Sequence, residues 1–426
     1  RFVVHTSVHQ PSDHLFPGLT LGPFGQWFTR QETWADQAKT WTDYLGRSSY
    51  LLQQGKNVAD ILYYYGENQN ITSLAMTSLP NIPAGYEFDY VNSSALKEAI
   101  SVNMSQLQSK GGTIYRLLVL DESAKKMTVG VLERILQLAE KGAIITGQKP
   151  ESSPSLADNP TTFAAVLRKL EVLPSVHFNQ PLSAVLANQK IDADVTIKNN
   201  SAEILFQHRT QAEREIYWLN SRSETANQAQ ISFRVTGKKP RLFNTETGEI
   251  SDVTYKMVNG RTEIEWTFSP WDAVFVVFEG TTAAKSRTNP LEHVVQTTTV
   301  AGPWKIKFQP LRSAPEEIQL AELKPLNEHE MEGVRYFSGA ATYVHSFEIP
   351  SLKTGEKIRI DLGDVNNMAE VSINGKLVAT LWKAPFVSDI TSHIKSGTNV
   401  MEIKVINRNI CQSNNVPRIA IKLMQI

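Results

Sequence analysis

The first 67 residues place one long loop and one helix between two apolar runs, and this order restricts the fold more than any other stretch of the chain. The opening run, RFVVH (Arg1 to His5), is typical of a buried strand. The loop from His5 to Trp34 leads into an amphipathic helix near Thr33 to Gln54, and then into VADILYYY, Val58 to Tyr65. Because a strand, a crossover helix and another strand form a βαβ unit, we expect the two strands to run parallel.

The loop from His5 to Trp34 is rich in side chains that bind sugars by stacking and hydrogen bonding. It contains, within thirty residues, His5, His9, His14, Gln10, Trp27 and Arg30. Long loops after the carboxyl end of a parallel strand commonly carry function. Two other interpretations remain open: a loop folded for packing alone, and a metal site at the HxxxH pair. Pro11 and the nearby glycines disfavour the helix that such a metal pair needs.

Three stretches in this region resemble glycoside hydrolase family 106, the α-L-rhamnosidases. They are NVADILYYYGEN, HTSVHQP and PGLTLGPFGQWFTRQETWADQAKTWTDYLGRSSYLLQQG. The resemblance implies that residues 1 to 80 are the C-terminal end of a catalytic (β/α)8 barrel, with the loop at the substrate mouth. The substrate-binding residues predicted there are His5, His9, Gln10, Trp27 and Glu67. Ser12 and Phe24 stand where the family more often has Trp, and this affects the expected sugar preference.

The resemblance also implies a mechanism. Glycoside hydrolysis uses two carboxyl groups, which lie about 6.5–9.5 Å apart in an inverting enzyme. Family 106 implies inversion, two catalytic glutamates and a calcium ion at the sugar. Those glutamates belong to earlier barrel strands, so we assign no catalytic pair here and expect it upstream of Arg1. Glu67, at the end of the second strand, is the one local candidate for a catalytic carboxylate. The other roles open to it are binding substrate or calcium, orienting a neighbouring group, or a salt bridge at the strand end.

Composition narrows the function classes. The 426 residues suggest three or four domains. Lys plus Arg equals Asp plus Glu at 43 each, which gives no support for nucleic acid or an anionic membrane as partner. No run of eighteen apolar residues exists to span a bilayer. The lone Cys411 excludes an internal disulfide framework, and no phosphate-binding glycine motif follows a strand, so we expect no nucleotide or redox cofactor.

Residues 81 to 172 alternate strand and helix patterns, which predicts a small doubly wound α/β sheet. The main signals are a strand in TIYRLLVLDES (Thr113 to Ser123), a helix over Met127 to Lys141 and a strand in GAIITG (Gly142 to Gly147). The region resembles the flavodoxin-type, glutamine-amidotransferase-like domain that follows the barrel in several glycosidase families. It contains no Cys to serve as a nucleophile. We therefore expect a structural role between domains.

Residues 173 to 280 consist of short alternating runs separated by turns, the pattern of an antiparallel β-sandwich. Within it, His208 and Arg209 either reach toward the barrel mouth or belong to a solvated strand pair. The Thr-rich, polar segment from 281 to 302 is typical of a linker.

Residues 303 to 426 show strong alternation and a tight hairpin turn at Asn374 and Gly375. This region resembles the galactose-binding-like jelly roll of glycoside hydrolase family 2. The matching motifs are GDV (363–365), VSINGK (371–376), WKAPF (382–386) and DIT (389–391). The resemblance implies a calcium- or sugar-compatible domain that packs as a support. Trp382 is its candidate sugar-binding residue, with packing as the alternative.

Taken together, the sequence predicts a multidomain α/β and all-β glycoside hydrolase. We expect an exo-acting α-L-rhamnosidase-like enzyme that removes a terminal sugar from plant-type polysaccharide or glycoside. Carbohydrate is the expected partner, and protein partners are not predicted. Because the chain begins inside a strand, without Met or a signal peptide, we expect sequence upstream. The expected location of the protein is the bacterial periplasm or the extracellular space. A non-catalytic carbohydrate-binding or scaffold protein is the alternative, which the barrel strands and the loop disfavour.

Overall fold

The structure, a computed structural model, describes residues 7–13, 15, 18–22, 28–72, 79–199, 201–290, 292–365, 367–407 and 419–426. The chain divides into two compact units. The first comprises Arg1–Tyr50, Thr245–Gly248 and Pro290–Ile426, and the second comprises Leu51–Asn244 and Glu249–Asn289. The strand expected over Arg1 to His5 lies outside the described residues, so the barrel end stays a prediction for this segment.

Aromatic side chains pack around the start of the first helix. A 3-10 turn at Ala35–Gln37 leads into helix α1, Ala38–Leu52. The ring of Trp41 lies 5.8 Å from that of Trp34 and 5.7 Å from that of Phe28. These rings pack the helix against the preceding turn.

The second unit contains the strands and helices between α1 and residue 289. Its strands are β1 Lys56–Asn57, β2 Ile61–Tyr64, β3 Phe88–Val91, β4 Ile100–Asn103, β5 Gln106–Ser109, β6 Ile114–Tyr115, β7 Leu117–Leu120, β8 Ile144–Gly147, β9 Val176–Phe178, β10 Val195–Lys198, β11 Ile204–Gln211, β12 Arg214–Ser221, β13 Asn227–Phe233, β14 Lys238–Phe243, β15 Ile250–Asp252, β16 Tyr255–Val258, β17 Arg261–Phe268, β18 Ala273–Thr281 and β19 Ser286–Arg287. Its helices are α2 Ser93–Glu98, α3 Val129–Glu140, α4 Pro160–Glu171 and α5 Leu182–Asn188, with a 3-10 turn at Glu122–Lys125.

A parallel sheet with the order β3-β2-β7-β8-β9 forms the α/β domain of this unit. In domain numbering this is 2-1-3-4-5, the order of flavodoxin-like sheets. Strand β7 is buried at all four positions, because helices cover both faces of a doubly wound sheet. Helix α3 packs on one face, and α5 contributes Val185 and Leu186 to the core on the other. The prediction of a doubly wound sheet is thus confirmed for this region. Strands β4, β5 and β6 form a separate antiparallel sheet.

The predicted boundary at residue 80 is wrong. Strand β2, which the sequence interpretation put in the barrel, pairs in parallel with β3 and β7 inside the α/β sheet. An apolar strand buried on both faces has the same sequence pattern in a barrel and in an open sheet, so local sequence could not choose its neighbours. Both strands that pair with β2 therefore come later in the chain.

Two antiparallel sheets form the β-sandwich of the second unit, as predicted. Their orders are β1-β11-β12-β18-β14-β15 and β10-β13-β17-β16-β19. Tyr217, Phe233, Phe268 and Phe278 are fully buried in the core that they share. The predicted start at residue 173 is too early, because β9 and α5 belong to the α/β domain.

The C-terminal part of the first unit is a second sandwich. Its strands are β20 Gln296–Thr299, β21 Trp304–Phe308, β22 Glu317–Leu320, β23 Ala340–Ile349, β24 Ile358–Gly363, β25 Met368–Ile373, β26 Lys376–Leu381, β27 Val387–Asp389, β28 Gly397–Ile406 and β29 Ile419–Gln425. Helix α6, Glu332–Arg335, and 3-10 turns at Leu326–Glu328 and Thr391–His393 lie between them. The sheets have the orders β20-β29-β24-β27 and β22-β21-β23-β28-β25-β26.

The core of this second sandwich contains Trp304, which has no exposed surface. Segment 281–302 is not merely a linker, since β19 pairs with β16 and β20 pairs with β29. The segment is polar because β20 is an edge strand, exposed at all four positions. Backbone pairing with β29 holds β20 in the sheet.

Candidate functional site

Gln10, a predicted substrate ligand, is the buried anchor of the N-terminal loop. Its Nε2 donates to the carbonyl of Leu19 at 2.7 Å, and its Oε1 accepts from the Leu19 amide at 2.8 Å. The chain passes so close at Gly18, where φ is +83°, that a Cβ there would collide with the side-chain oxygens of Gln10 and Gln31. The amide of Gln10 is therefore committed to the shape of the loop.

A second set of contacts joins the two ends of the loop. Arg30 Nη2 donates to the carbonyl of Gln10 at 2.8 Å, and Arg30 Nε lies 2.5 Å from Asp13 Oδ1. The buried Gln31 donates through Nε2 to the carbonyl of Ser12. Both Arg30 and Asp13 are more than half exposed, so their pair adds little stability. The hydrogen bonds of the buried Gln10 and Gln31 side-chain amides hold the loop.

Of the remaining predicted residues of the loop, the structure describes His9 alone. His9 is exposed, and within the described part of the chain no hydrogen bond engages its ring. His5 and Trp27 lie outside the described residues. That His5, His9, Gln10 and Trp27 lie together thus remains a prediction. Gln10 itself bonds the backbone of the loop.

Glu67 lies in the α/β domain rather than in a barrel. Its carboxylate accepts from the Thr128 amide at 2.6 Å and from Thr128 Oγ1 at 3.0 Å. Thr128 is the N-cap of α3, and Asp158 accepts from the next amide, that of Val129, at 2.8 Å. Two carboxylates thus satisfy the first amides of the helix and complement its dipole. The geometry of Glu67 is that of a helix cap.

The carboxyl ends of β2 and β7 form the switch point of the α/β sheet, where ligands bind in many folds of this kind. Tyr63 donates to Asp121 Oδ2 at 2.5 Å, and Asp121 Oδ1 accepts from the Ser123 amide at 2.8 Å. Burial, reinforced by the Asp121 carboxylate, raises the pKa of Tyr63 far above its usual value. Tyr63, Asp121 and the Ser123 amide thus satisfy one another, and these contacts stabilise the ends of the two strands.

A buried charge cluster that sequence reasoning missed lies within the second unit. His208 is 5% exposed, and its Nδ1 lies 2.7 Å from Asp194 Oδ2 while its Nε2 lies 3.2 Å from Glu215 Oε2. The ring stacks on Tyr217, with 3.9 Å between centroids, and Tyr217 donates to Asp194 Oδ1 at 2.8 Å. Lys238 completes the cluster, with Nζ 2.9 Å from Glu215 Oε1.

The pKa values of the cluster follow from these contacts. Burial disfavours charge on His208, Asp194 and Glu215, but the hydrogen bonds that these groups make outweigh the effect of burial. The pKa of His208 is therefore raised by Asp194 and Glu215, and that of Asp194 is lowered by His208. Hydrogen bonds from His208 and Lys238 lower the pKa of Glu215 to about 2.

Arg234 extends this cluster to the α/β domain. Its Nη2 lies 3.0 Å from both carboxylate oxygens of Asp60, and its Nε lies 3.7 Å from Asp194. Arg116 Nε approaches Asp60 at 3.2 Å. Burial still dominates at Asp60, whose pKa is raised despite the two arginines.

His208 and Arg209 were expected near the barrel mouth or in a solvated strand pair, and the structure supports neither for His208. Ile204, Phe206 and His208 alternate along β11, and the two apolar side chains pack against the sandwich core. This period of two was the available signal that His208 points inward. Arg209 instead donates to the carbonyls of Gln54 and Gly55, at 2.5 and 2.9 Å, just after α1.

Trp382 of the C-terminal sandwich is half-buried, and its ring lies 5.3 Å from that of Tyr44 on α1. Phe386, in the same motif, is buried in the sandwich core. The contact with Tyr44 favours packing for Trp382.

The described residues contain no group of three or more His, Cys, Asp or Glu side chains arranged to hold a metal ion. The calcium ion that the resemblance implies stays a prediction. In the same part of the chain, no helix has both the length and the apolar character needed to cross a bilayer.

Comparison with known proteins identifies the class and then the family. The profile of a glycoside hydrolase family, described as alpha-L-rhamnosidase, matches residues 1–257, which is more than half of the chain. The chain therefore belongs to the α-L-rhamnosidase family, glycoside hydrolase family 106.

Two relatives show how much of a whole protein the chain represents. The rhamnosidase from Novosphingobium sp. PP1Y is 33% identical, matches 100% of this chain with a TM-score of 0.93, and is itself covered over 44% of its length. A protein of Formosa agariphila with the provisional name beta-glucuronidase is 24% identical over 96% of this chain and 54% of its own. The chain thus spans about half the length of each relative.

Proposed function

We propose that this chain is part of an exo-acting α-L-rhamnosidase that removes terminal rhamnose from plant-type polysaccharide or glycoside. The observation that carries the proposal is the similarity to the Novosphingobium rhamnosidase, at 33% identity and a TM-score of 0.93 over the whole chain. The family membership of residues 1–257 supports it independently. Inversion of configuration is part of the proposal, with two glutamates flanking the scissile bond.

Within this proposal the N-terminal loop contributes to the substrate site. The exposed His9 hydrogen-bonds a sugar hydroxyl, and His5 and Trp27 supply a further hydrogen bond and a stacking surface. Gln10 acts indirectly, because its amide already holds Leu19 in place. A loop held by the hydrogen bonds of buried glutamine side chains can present His9 at a defined position.

The catalytic glutamates and the calcium ligands of the proposal come from residues other than those described here. Glu67 supports α3 through Thr128, so we give it no catalytic role. We propose a bacterial periplasmic or extracellular location, which fits a polymeric substrate outside the cytoplasm. Fractionation of the native host would test the location.

The test is hydrolysis of 4-nitrophenyl α-L-rhamnoside by the complete natural protein that contains this chain, with 4-nitrophenyl β-D-glucuronide in parallel. We expect turnover of the rhamnoside only, with the β-anomer of rhamnose released first in NMR spectra. Turnover of the glucuronide alone would contradict the substrate. Saturable sugar binding without turnover of either would favour the non-catalytic alternative.

The role of the loop is tested in the same protein with His9→Ala. We expect kcat/KM to fall about fivefold or more, because losing one hydrogen bond to a buried sugar hydroxyl costs about 1–3 kcal/mol. His293→Ala, another exposed histidine, is the matched control and should leave kcat/KM unchanged. Equal values for both variants would remove His9 from the substrate site.

A further inference from the structure

A cleft of about 280 Å³ lies within the second unit, between the α/β domain and the sandwich. Residues 56–60, which lead from β1 to β2, form one wall, and the β5–β6 hairpin forms another. The sandwich contributes Thr210 and Arg234. The polar side chains that matter for the argument are Lys56, Asn57, Asp60, Gln106, Arg116 and Arg234.

The cleft carries an excess of positive charge. Its lining includes the cations Lys56, Arg116 and Arg234 but only one carboxylate, Asp60. Asp60 is already engaged by Arg234 through two 3.0 Å contacts. Lys56 is exposed, and among the described residues no carboxylate pairs with it. The Lys56 ammonium and the two terminal nitrogens of Arg116 therefore remain available to an anion.

Arg116 and Asn57 have atoms left for a ligand. Arg116 meets Asp60 through Nε at 3.2 Å, and within the described chain its two terminal nitrogens have no side-chain partner. Asn57 donates through Nδ2 to the Asp89 carboxylate, at 3.2 and 3.4 Å, which leaves its Oδ1 to accept from a hydroxyl. A guanidinium fork matches the planar oxygen pair of a carboxylate or two oxygens of a sulfate.

We propose that this cleft binds one anionic sugar unit, a hexuronate or a sulfated hexose. The acid group lies between Lys56 and Arg116, and the sugar hydroxyls meet Asn57 and Gln106. The volume is just below the range for small-molecule pockets, roughly 300–1,000 Å³, so it suits one ring and not a long oligosaccharide. None of the residues that line the cleft belongs to the N-terminal loop, and binding there requires no hydrolysis, so the proposal goes beyond the proposed function.

The first experiment is calorimetric titration of the purified chain at low ionic strength with D-glucuronate, glucose 6-sulfate, glucose and inorganic sulfate. We expect saturable binding of at least one acidic sugar, at least tenfold tighter than of glucose. The tighter of the two acidic sugars identifies the acid group. Absence of saturable binding of both would overturn the proposal, as would inorganic sulfate binding as tightly as the sugars.

The second experiment tests the residues. Lys56→Met removes the charge of an exposed side chain and keeps its stem, so the fold is preserved. We expect it to weaken binding of the preferred acidic sugar about tenfold, or about 1.4 kcal/mol. Arg116→Lys should weaken binding as well by removing the fork. Lys141→Met, an exposed lysine at the end of α3, is the control and should bind as the wild type does. Wild-type affinity in Lys56→Met would overturn the assignment.

Discussion

His208 is the central side chain of the buried charge cluster in the second unit. It bridges Asp194 and Glu215, and it stacks on Tyr217. The net contribution of such a buried pair is small, because desolvation offsets the attraction. Removing one partner is different, because it leaves a buried carboxylate without compensation.

We therefore predict that His208→Ala lowers the free energy of unfolding by about 3 kcal/mol. Urea denaturation followed by circular dichroism would measure the loss. His393→Ala, in a 3-10 turn of the C-terminal sandwich, is the control and should change stability by less than about 1 kcal/mol. A similar small loss for His208→Ala would mean that the cluster is solvated in solution.

The same cluster predicts a pH dependence. The pKa of His208 is raised from 6.5, so its contribution is complete below pH 6.5 and is lost as the pH rises through the raised value. The pKa of Glu215 is lowered from 4.5 to about 2, so its contribution is present above pH 4.5 and is lost as the pH falls toward 2. Stability from the cluster should be greatest between these limits. The difference between wild type and His208→Ala should shrink above pH 6.5, and a constant difference would contradict the prediction.

Glu67 supports a second prediction at this scale. Glu67→Ala removes both acceptors of Thr128 at the start of α3 and should cost about 1 kcal/mol of stability. Thermal unfolding would measure it, with Glu122→Ala, an exposed carboxylate in the nearby 3-10 turn, as the control. A loss in Glu67→Ala no larger than in the control would show that Asp158 caps the helix alone.

At the scale of elements, the WKAPF motif connects the C-terminal sandwich to α1 within the first unit. Trp382 contacts Tyr44, and the neighbouring Lys383 lies 2.5 Å from Glu246. Arg47, one turn beyond Tyr44, donates to the carbonyls of Thr245 and Glu246 at 3.1 and 3.0 Å. A helix, a hairpin tip and a sandwich loop thus meet at this motif, which fits a supporting role for the sandwich.

We predict that Trp382→Ala lowers the stability of the chain by about 1–3 kcal/mol through the lost aromatic packing. Trp271→Ala, at a turn where the residue is 55% exposed, is the control and should have a smaller effect. Differential scanning calorimetry would measure both. Saturable rhamnose binding by the chain that Trp382→Ala abolishes without loss of stability would make Trp382 a sugar platform instead.

At the scale of the whole molecule, the chain represents 44% of the Novosphingobium rhamnosidase and 54% of the Formosa protein. Hydrolysis requires two carboxyl groups at a defined separation across one bond. The resemblance implies that these two groups belong to earlier barrel strands. Glu67, the local candidate, is engaged by Thr128.

We therefore predict that the 426-residue chain alone does not hydrolyse 4-nitrophenyl α-L-rhamnoside. The measurement is steady-state kinetics on material whose mass has been verified by mass spectrometry, with the complete protein as the positive control. Turnover by the chain at an enzyme-like rate would contradict this, and Glu67→Gln would then be the first variant to assay.

The sequence by itself determined the type of most elements. The alternating pattern of Ala340–Ile349 and the continuous apolar run Leu117–Leu120 are visible without a structure, because side-chain period reflects which faces are buried. The family resemblance rested on residues 1 to 67 and is confirmed by the profile over residues 1–257. The sandwich, the doubly wound sheet and the α1 helix follow from the same local signals.

Tertiary structure alone decided which elements pair and what their polar side chains do. Strand β2 lies between β3 and β7, and β20 pairs with β29 more than a hundred residues away. Likewise, Glu67 caps α3 and His208 is enclosed by Asp194 and Glu215. Periodicity records only that a face is buried, whereas the partner is set by non-local packing and by the need to satisfy every buried polar group.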